Sequence, residues 1–401
     1  MVIEFLRMNK AAQDAEKIFR AGLNRVDSRS MLGQTLKLDG EVLTVQGKSF
    51  DLKAYKRIFV FGVGKASSRM ALGLIDVLGK RIDAGLIITK DGHSESLPSH
   101  FFQLESSHPV PDERSVEAGR KLYEFCEKAK ADDLVIGLIS GGASALAALP
   151  IDGVTLAQKQ AKTKELLATG ATIQEINKVR KSLSKIKGGK LAKVIASATS
   201  LNLILSDVLG DDLHTIASGI TVPEPGEVGP ANLHNLVIGS NRLALAAAEA
   251  EAKRLGYKTV ILSERLTGEA KDAAHLFASV VDKLEKGVCY LAGGETTVTL
   301  KGNGKGGRNQ EMALAFLSEM EKRESWPSGV AFLAASTDGT DGPTDAAGAY
   351  ATEEIYNKAE AEVSEYLERN DSYHFFQKVQ GLLKTGPTGT NVCDLQVLVQ
   401  S

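Results

Sequence analysis

Several clusters of small, cationic and acidic residues along this 401-residue chain have the composition of phosphate chemistry. Phe61-Gly-Val-Gly64-Lys65-Ala-Ser-Ser follows a compact apolar run, Arg57-Ile-Phe-Val-Phe. Two glycines let the backbone approach a phosphate, the start of a following helix favours an anion, and Lys65 adds a full charge. The plainer alternative is a tight strand–helix turn with a solvated lysine. Ile139-Ser140-Gly141-Gly142-Ala143-Ser144 also follows an apolar run, and its small residues make an amide-rich nest for phosphate or carboxylate oxygens. Here the alternative is glycine used for packing alone.

A third cluster is Gly302-Asn-Gly304-Lys305-Gly306-Gly307-Arg308-Asn309-Gln-Glu. It matches GxGxxG formally, but the acidic residue that a dinucleotide fold needs about twenty positions later is missing. A phosphate-cradling loop of Gly304, Gly306, Gly307 and Asn309, with Arg308 as the charge clamp, is the better expectation. GxxxxGK[ST] occurs nowhere, which disfavours a P-loop nucleotidase.

Two acidic stretches complete the set: Ser206-Asp207-Val-Leu-Gly-Asp211-Asp212 and Ser336-Thr-Asp338-Gly-Thr-Asp341-Gly-Pro-Thr-Asp345. Carboxylates beside cationic phosphate loops suit Mg²⁺ held with waters and substrate phosphates, so Asp207, Asp338 and Asp341 are the expected metal residues. Asp207, or one of Asp338 and Asp341, could instead take a hydroxyl proton. Asp-Gly also forms ordinary turns. The second stretch lacks the distal glutamate of a calcium loop. Asn177 to Lys190 is strongly basic. Helical spacing puts Lys178, Lys181 and Lys185 near one face, and Arg180, Ser184 and Lys187 near another. Asn177 and Arg180 are the candidates to meet a small anion, and a solvated basic face is the alternative.

These clusters need elements to position them, and the apolar runs predict alternating strands and helices. Strands are expected at Arg57, Ala84–Thr89, Asp133–Ile139, Leu201–Leu205, Val237, Thr259, Val288, Thr296–Leu300 and Val330. Helices are expected over residues 9–27, from Asp112 as N-cap, from Asn241, from Asn309 and over 271–284. A polar hairpin-like stretch follows the first helix. Strands apolar throughout and alternating with helices predict a parallel α/β sheet covered on both faces. The Pro/Gly-rich segment from Thr221 to Ala231 is the expected boundary, giving domains 1–228 and 229–401 and a hinge between them.

Composition excludes several classes. Lys plus Arg number 48 against 50 Asp plus Glu, a net charge of −2, so no nucleic-acid partner is expected. Cys126, Cys289 and Cys393 are far apart and fit a cytoplasmic protein without disulfides or zinc. Glycines and Pro150 interrupt the uncharged stretch from 134 to 151, so no membrane span is expected.

In order, GVGKAS, HPVPDE, SGG-SAL, NKVRKSLSKIKGGKLA, SDVLGDD, GGETTVTLKGNGKGGRNQE, STDGTDGPTDAAGA and TGPTGTNV resemble the class II glycerate kinases, whose C-terminal part is the MOFRL domain. The likeness runs from about Lys56 to the C-terminus. It implies two α/β domains, a Rossmann-like parallel sheet and a MOFRL-type domain, with the active site in the cleft between them. It implies ATP-dependent phosphorylation of D-glycerate at the 2-hydroxyl, with Mg²⁺, and allows a homodimer. The family's essential lysine and arginine fall on Lys65 and Arg308. With Asp207 these form the expected catalytic set, and Gly64, Ser140, Gly141, Gly142, Ala143, Ser144 and Glu295 join the expected substrate contacts. Two departures are visible: Ala143 replaces a third glycine, and Cys393 stands where asparagine is expected. The competing readings are a nicotinamide-dependent hydroxypyruvate reductase, supported only by the imperfect glycine loops, and a non-catalytic sugar-phosphate-binding module.

Overall fold

The computed structural model describes residues 9–281, 286–323, 326–359 and 362–401. The chain divides into two compact units, one of Ser28–Ser240 and one of the stretch up to Asp27 together with Asn241–Ser401. In the unit Ser28–Ser240 a short helix, Ser30–Thr35, leads into a small antiparallel sheet, β1 (Leu36–Asp39), β2 (Val42–Val45) and β3 (Lys48–Asp51), where the sequence reads as a polar hairpin. Its main sheet comprises β4 (Arg57–Val63), β5 (Ala84–Lys90), β6 (Phe101–Ser106), β7 (Asp133–Ile139), β8 (Thr199–Leu205) and β9 (Leu233–Gly239). Their order across the sheet is β6-β5-β4-β7-β8-β9, and every pairing is parallel.

That order is the doubly wound arrangement in which the first-formed strand, β4, lies at the centre. All seven residues of β7 are buried, as a strand covered on both faces requires. Phe61, Val63, Val135 and Ile139 pack with Leu122 and Cys126 of the helix Glu113–Glu127. Asp112 caps that helix in a capping box with Ser115, as its sequence predicts.

The second unit has β10 (Lys258–Leu266), β11 (Val288–Gly294), β12 (Val330–Ser336), β13 (Gly348–Thr352), β14 (Leu382–Leu383) and β15 (Asp394–Gln400). Their order is β10-β11-β15-β12-β13-β14. Only β10 and β11 pair in parallel; β15 runs antiparallel to both β11 and β12, so the sheet is mixed. Residues 296–300 form no strand beyond one isolated bridge at Thr297. The helix expected over 271–284 runs Ala270–Val281, and 282–284 lie outside the described residues.

The domain limits differ from those expected. The Pro/Gly segment 221–230 joins β8 to β9, neighbours in one sheet, so it is an internal loop and not the hinge between domains. The first helix, Lys10–Arg25, belongs with the C-terminal half. Its Gly22 lies so close to that half that an added Cβ would meet Leu395 Cδ1 at 2.7 Å and the Ala244 carbonyl at 2.9 Å. Asp14 accepts from Tyr257 Oη at 3.0 Å, and Glu16 from Tyr350 Oη at 2.8 Å. Apolar burial of Ile18 and Phe19 and these long-range hydrogen bonds override the helix's place in the sequence.

Candidate active site

In a doubly wound sheet the ligand crevice lies outside the carboxyl ends of the strands, where the winding reverses. Here that point falls between β4 and β7, and the loops after them carry the first two glycine clusters. Lys65 N donates to the Gly141 carbonyl at 2.9 Å, and Ser140 N to the Val63 carbonyl at 3.0 Å. Ala66 N donates to Ser140 Oγ at 3.1 Å. Gly64 has φ +135°, and a Cβ there would stand 2.2 Å from Ser140 Oγ. Both the backbone angle and the contact therefore require glycine. Gly142 is also left-handed, φ +84°, and its open side faces His108 Cδ2 and Lys65 Cγ. Ala143 is buried as the first residue of a short helix, so the missing third glycine costs this turn nothing in space.

Asp207, just after β8, comes in over Gly141: a Cβ on that glycine would lie 1.8 Å from Asp207 Oδ2. Lys65, Ser140, Gly141, Gly142, His108 and Asp207 are thus brought together within one unit, from loops after four strands. The Lys65 carbonyl accepts from Thr89 Oγ1 at 3.3 Å and faces His93 Nδ1 at 3.2 Å. Its ammonium has no ion pair among the described residues. Burial, and then Lys65, Lys90 and His93, hold the His108 imidazole below its ordinary value. A neutral ring beside Lys65 leaves the lysine as the local charge.

Ser144 Oγ lies 2.7 Å from Ser218 Oγ. Ala217 and Ser218 both have positive φ, +52° and +55°, followed by Gly219 at +63°. Two successive non-glycine residues in the left-handed region store strain, of a kind that concentrates at functional sites. Arg180 and Lys187 line a cavity of about 610 Å³ together with His108, Gly142 and Ser144. Arg180 and Lys187 of the basic segment therefore turn to this cavity, whereas Ser184 and Lys185 line a separate one. Lys181 and Lys185 instead pair with Glu224 and Asp152, and Asn177 does not line the cavity.

The third glycine loop departs from expectation. Four of its backbone amides are spent on the protein: Lys301 and Gly302 donate to Asn370 Oδ1, Gly304 to the Arg369 carbonyl, and Lys305 to Asp371 Oδ1. A Cβ on Gly304 would meet Asp371 at 2.5 Å, on Gly306 Ser372 Oγ at 2.1 Å, and on Gly307 the Asp341 backbone at 2.3 Å. These glycines allow close packing, and the Gly304 amide of the expected cradle is already bonded within the protein.

The helix start that follows is occupied as well. Asp341 Oδ1 accepts from Asn309 N and Nδ2 at 3.0 and 3.2 Å, and Oδ2 from Gln310 N and Nε2 at 2.8 and 3.0 Å. The expectation that Asp341 holds a metal is therefore corrected: a carboxylate with four hydrogen bonds, buried at a helix N-terminus, is a cap. The same four bonds make Asn309 part of that cap rather than a phosphate contact.

Arg308 grips a carboxylate, not an open site. Its Nε and Nη2 meet Asp394 Oδ2 and Oδ1 at 2.5 and 2.8 Å, and its Nη1 stands 3.3 Å from Glu295 Oε1. Glu295 thus acts first as an arginine partner. Asp394 is fully buried, which pushes its carboxyl above the usual range, while Arg308 pulls it back down. Cys393, at φ +69°, sets its Sγ 3.7 Å from Glu295 Oε2. Asp338 Oδ1 accepts from Ser336 Oγ and Thr340 N, both at 2.9 Å, in a local turn. Asp207 belongs to one unit and Asp338 and Arg308 to the other.

Known proteins place this geometry. Residues 14–235 match a family model described as a domain of unknown function, DUF4147, and residues 288–394 match the MOFRL family. A glycerate 2-kinase of Pyrococcus horikoshii is 38% identical, the match covering 98% of this chain and 96% of that protein. A D-glycerate 2-kinase of Thermotoga maritima is 40% identical over 84% of this chain and 89% of its own length. Among solved structures, a P. horikoshii protein matches with TM-score 0.88 at 35% identity, covering 99% of this chain and all of that one. A glycerate kinase of T. maritima matches with TM-score 0.87 at 36% identity, over 97% and 99% of the two chains. With most of the first match on the doubly wound unit and the second on the mixed sheet, the chain belongs to the MOFRL family of glycerate kinases.

Proposed function

We propose that this protein is an ATP-dependent kinase that phosphorylates D-glycerate at the 2-hydroxyl, using Mg²⁺. The observation that carries the reading is Lys65: an ammonium without an ion pair, at the glycine-lined switch point of a chain whose full-length relatives are named glycerate 2-kinases. Phosphoryl transfer needs positioning and charge neutralisation more than covalent help from the protein. Lys65 supplies positive charge beside the transferred phosphoryl group, and the amides around Gly141 and Gly142 bind its oxygens.

Asp207, whose carboxylate lies over Gly141, takes the proton of the attacking hydroxyl or contributes to a metal site. Mg²⁺ takes oxygen ligands, and Asp207 is the carboxylate of this unit that would contribute to holding it. When bound, the metal neutralises phosphate charge. A cytoplasmic setting accords with three free, buried cysteines and with the lack, among the described residues, of any helix long and apolar enough to cross a membrane.

The test is a coupled assay with ATP, Mg²⁺ and D-glycerate, followed by identification of the phosphorylated carbon. The expected product is 2-phosphoglycerate. Exclusive formation of 3-phosphoglycerate, or cofactor oxidation with hydroxypyruvate in place of transfer, would overturn the reading.

A further inference from the structure

The cavity beside Gly142 has walls that Lys65 and Asp207 do not explain. No aspartate or glutamate lines it, whereas Lys159, Lys164, Arg180 and Lys187 do. Lys159 is only 6% exposed, and its Nζ is buried without a hydrogen-bond partner among the described residues. Lys187 is 3% exposed, and its Nζ donates to the Ser144 carbonyl. A buried ammonium without a partner is costly, and two near an arginine repel each other. Burial, then Arg180 and Lys190, push the Lys159 amine down to about 8, and burial, then Lys159 and Arg180, push the Lys187 amine down as well. A fold keeps such a cluster at a net cost in stability, which an anionic ligand would offset on binding.

The other walls give the ligand's shape. Pro109, Pro111, Ala145, Ala148 and Leu156 are apolar or lack side-chain donors. A volume of about 610 Å³ is in the range of sites for nucleotide-sized ligands and far exceeds a three-carbon acid. One carboxylate charge would leave most of the cations unmatched, whereas a polyphosphate matches them. Gly142 belongs both to this cavity and to the contact with Lys65.

We propose that this cavity seats the polyphosphate chain of the nucleotide donor, with Lys159, Arg180 and Lys187 as its cationic wall and Gly142 as the point where the chain passes to Lys65. The proposal rests on the kinase reading. Lys159, with a flexible four-carbon stem, turns its ammonium into the cavity when phosphate arrives.

The test uses the full chain with Lys159→Met, and Lys159→Arg as the charge-keeping control. Binding of ATP, and of inorganic tripolyphosphate as its competitor, is measured by calorimetry without glycerate. Loss of one charge-assisted contact weakens binding about 10–100-fold. The expected result is a rise of that size in Kd for both ligands in the methionine variant, partial rescue by arginine, and a glycerate KM within about twofold of wild type. The ligand-free methionine variant should melt no lower than wild type, since it loses an unpartnered buried amine. Unchanged ATP and tripolyphosphate binding, a rise in glycerate KM alone, or weaker binding that merely follows a fall in melting temperature would each overturn the proposal. If glycerate is not phosphorylated at all, the kinase reading fails, while the binding measurements still report on the cavity.

Discussion

Replacing Gly141 by alanine separates the position of Asp207 from its presence. The added Cβ would stand 1.8 Å from Asp207 Oδ2 and 2.5 Å from its Cγ, where ordinary contact begins near 3.4 Å. The carboxylate must therefore retreat by about 1.6 Å, the difference between 3.4 and 1.8 Å. The obstacle is the end of a side chain, and Gly141 does not have positive φ, so the fold should survive. A misplacement of about 1 Å at a reacting centre can cost about 10²-fold in rate. We expect Gly141→Ala to lower kcat by at least that factor while shifting the melting temperature little. Asp207→Ala should lower it comparably, and the double variant should be scarcely worse than Asp207→Ala alone, because the two changes act through one group. Steady-state kinetics at saturating ATP and glycerate on all three proteins make the measurement. Full activity of Gly141→Ala, or costs that multiply in the double variant, would refute the idea that this glycine exists to admit Asp207.

Lys65→Ala should lower kcat about 10²–10³-fold with an unchanged melting curve, as expected for loss of one well-placed charge from a transition state; an unchanged kcat removes Lys65 from the mechanism. Arg308→Gln should destabilise by about 3–5 kcal/mol, because it strands the buried Asp394 carboxylate, and Asp394→Asn in the same chain should recover part of that loss in a denaturant titration. A silent Arg308→Gln would show that the pair carries no weight. Lys159 adds a pH signature. Its folded amine loses its proton near 8 and its unfolded amine only near 10.5, so between those values the unfolded chain binds more protons. Its contribution therefore raises stability as pH climbs from about 8 to 10.5. The Lys159→Met protein should lack that increment when melting curves of the two are compared across the window, despite Arg180, Lys187, Lys190, Lys164 and His108 remaining around the site.

How much of this was legible in the sequence depended on whether a signal was local. The β4 and β7 runs and their glycine turns are contiguous, so Lys65, Ser140, Gly141 and Gly142 could be placed at strand ends directly. The Asp112 cap was equally plain, being a contact between residues three apart. The second sheet was less so. Its central strand, β15, alternates apolar residues with Asp394, Gln396 and Gln400, yet all seven residues are buried. Polar alternation reads as a half-exposed edge, and only the pairing with β11 and β12 on both sides reveals otherwise. Asp341 and Arg308 misled for a related reason: a carboxylate and a guanidinium in glycine-rich loops look free until their long-range partners are known. Lys159 did leave a trace, a lysine at helical spacing from Leu156 and Thr163 on the face turned to the cavity. Ser218 left none, since its backbone angle is set by the loop around it.

The division at Asp27 and again at Ser240 has a consequence for how the protein is made. On the ribosome, residues 28–240 are a complete sheet-forming unit before residues 241–401 exist. The helix Lys10–Arg25 emerges first yet finds its partners last, since β12, β15 and the helix Asn241–Arg254 are all downstream. Its apolar face of Ala11, Ala15, Ile18 and Phe19 must stay uncovered, or be held by another protein, through the synthesis of more than half the molecule. Nascent chains stalled after residue 240 should therefore be protease-resistant from about residue 28 onward while still being cut within this helix.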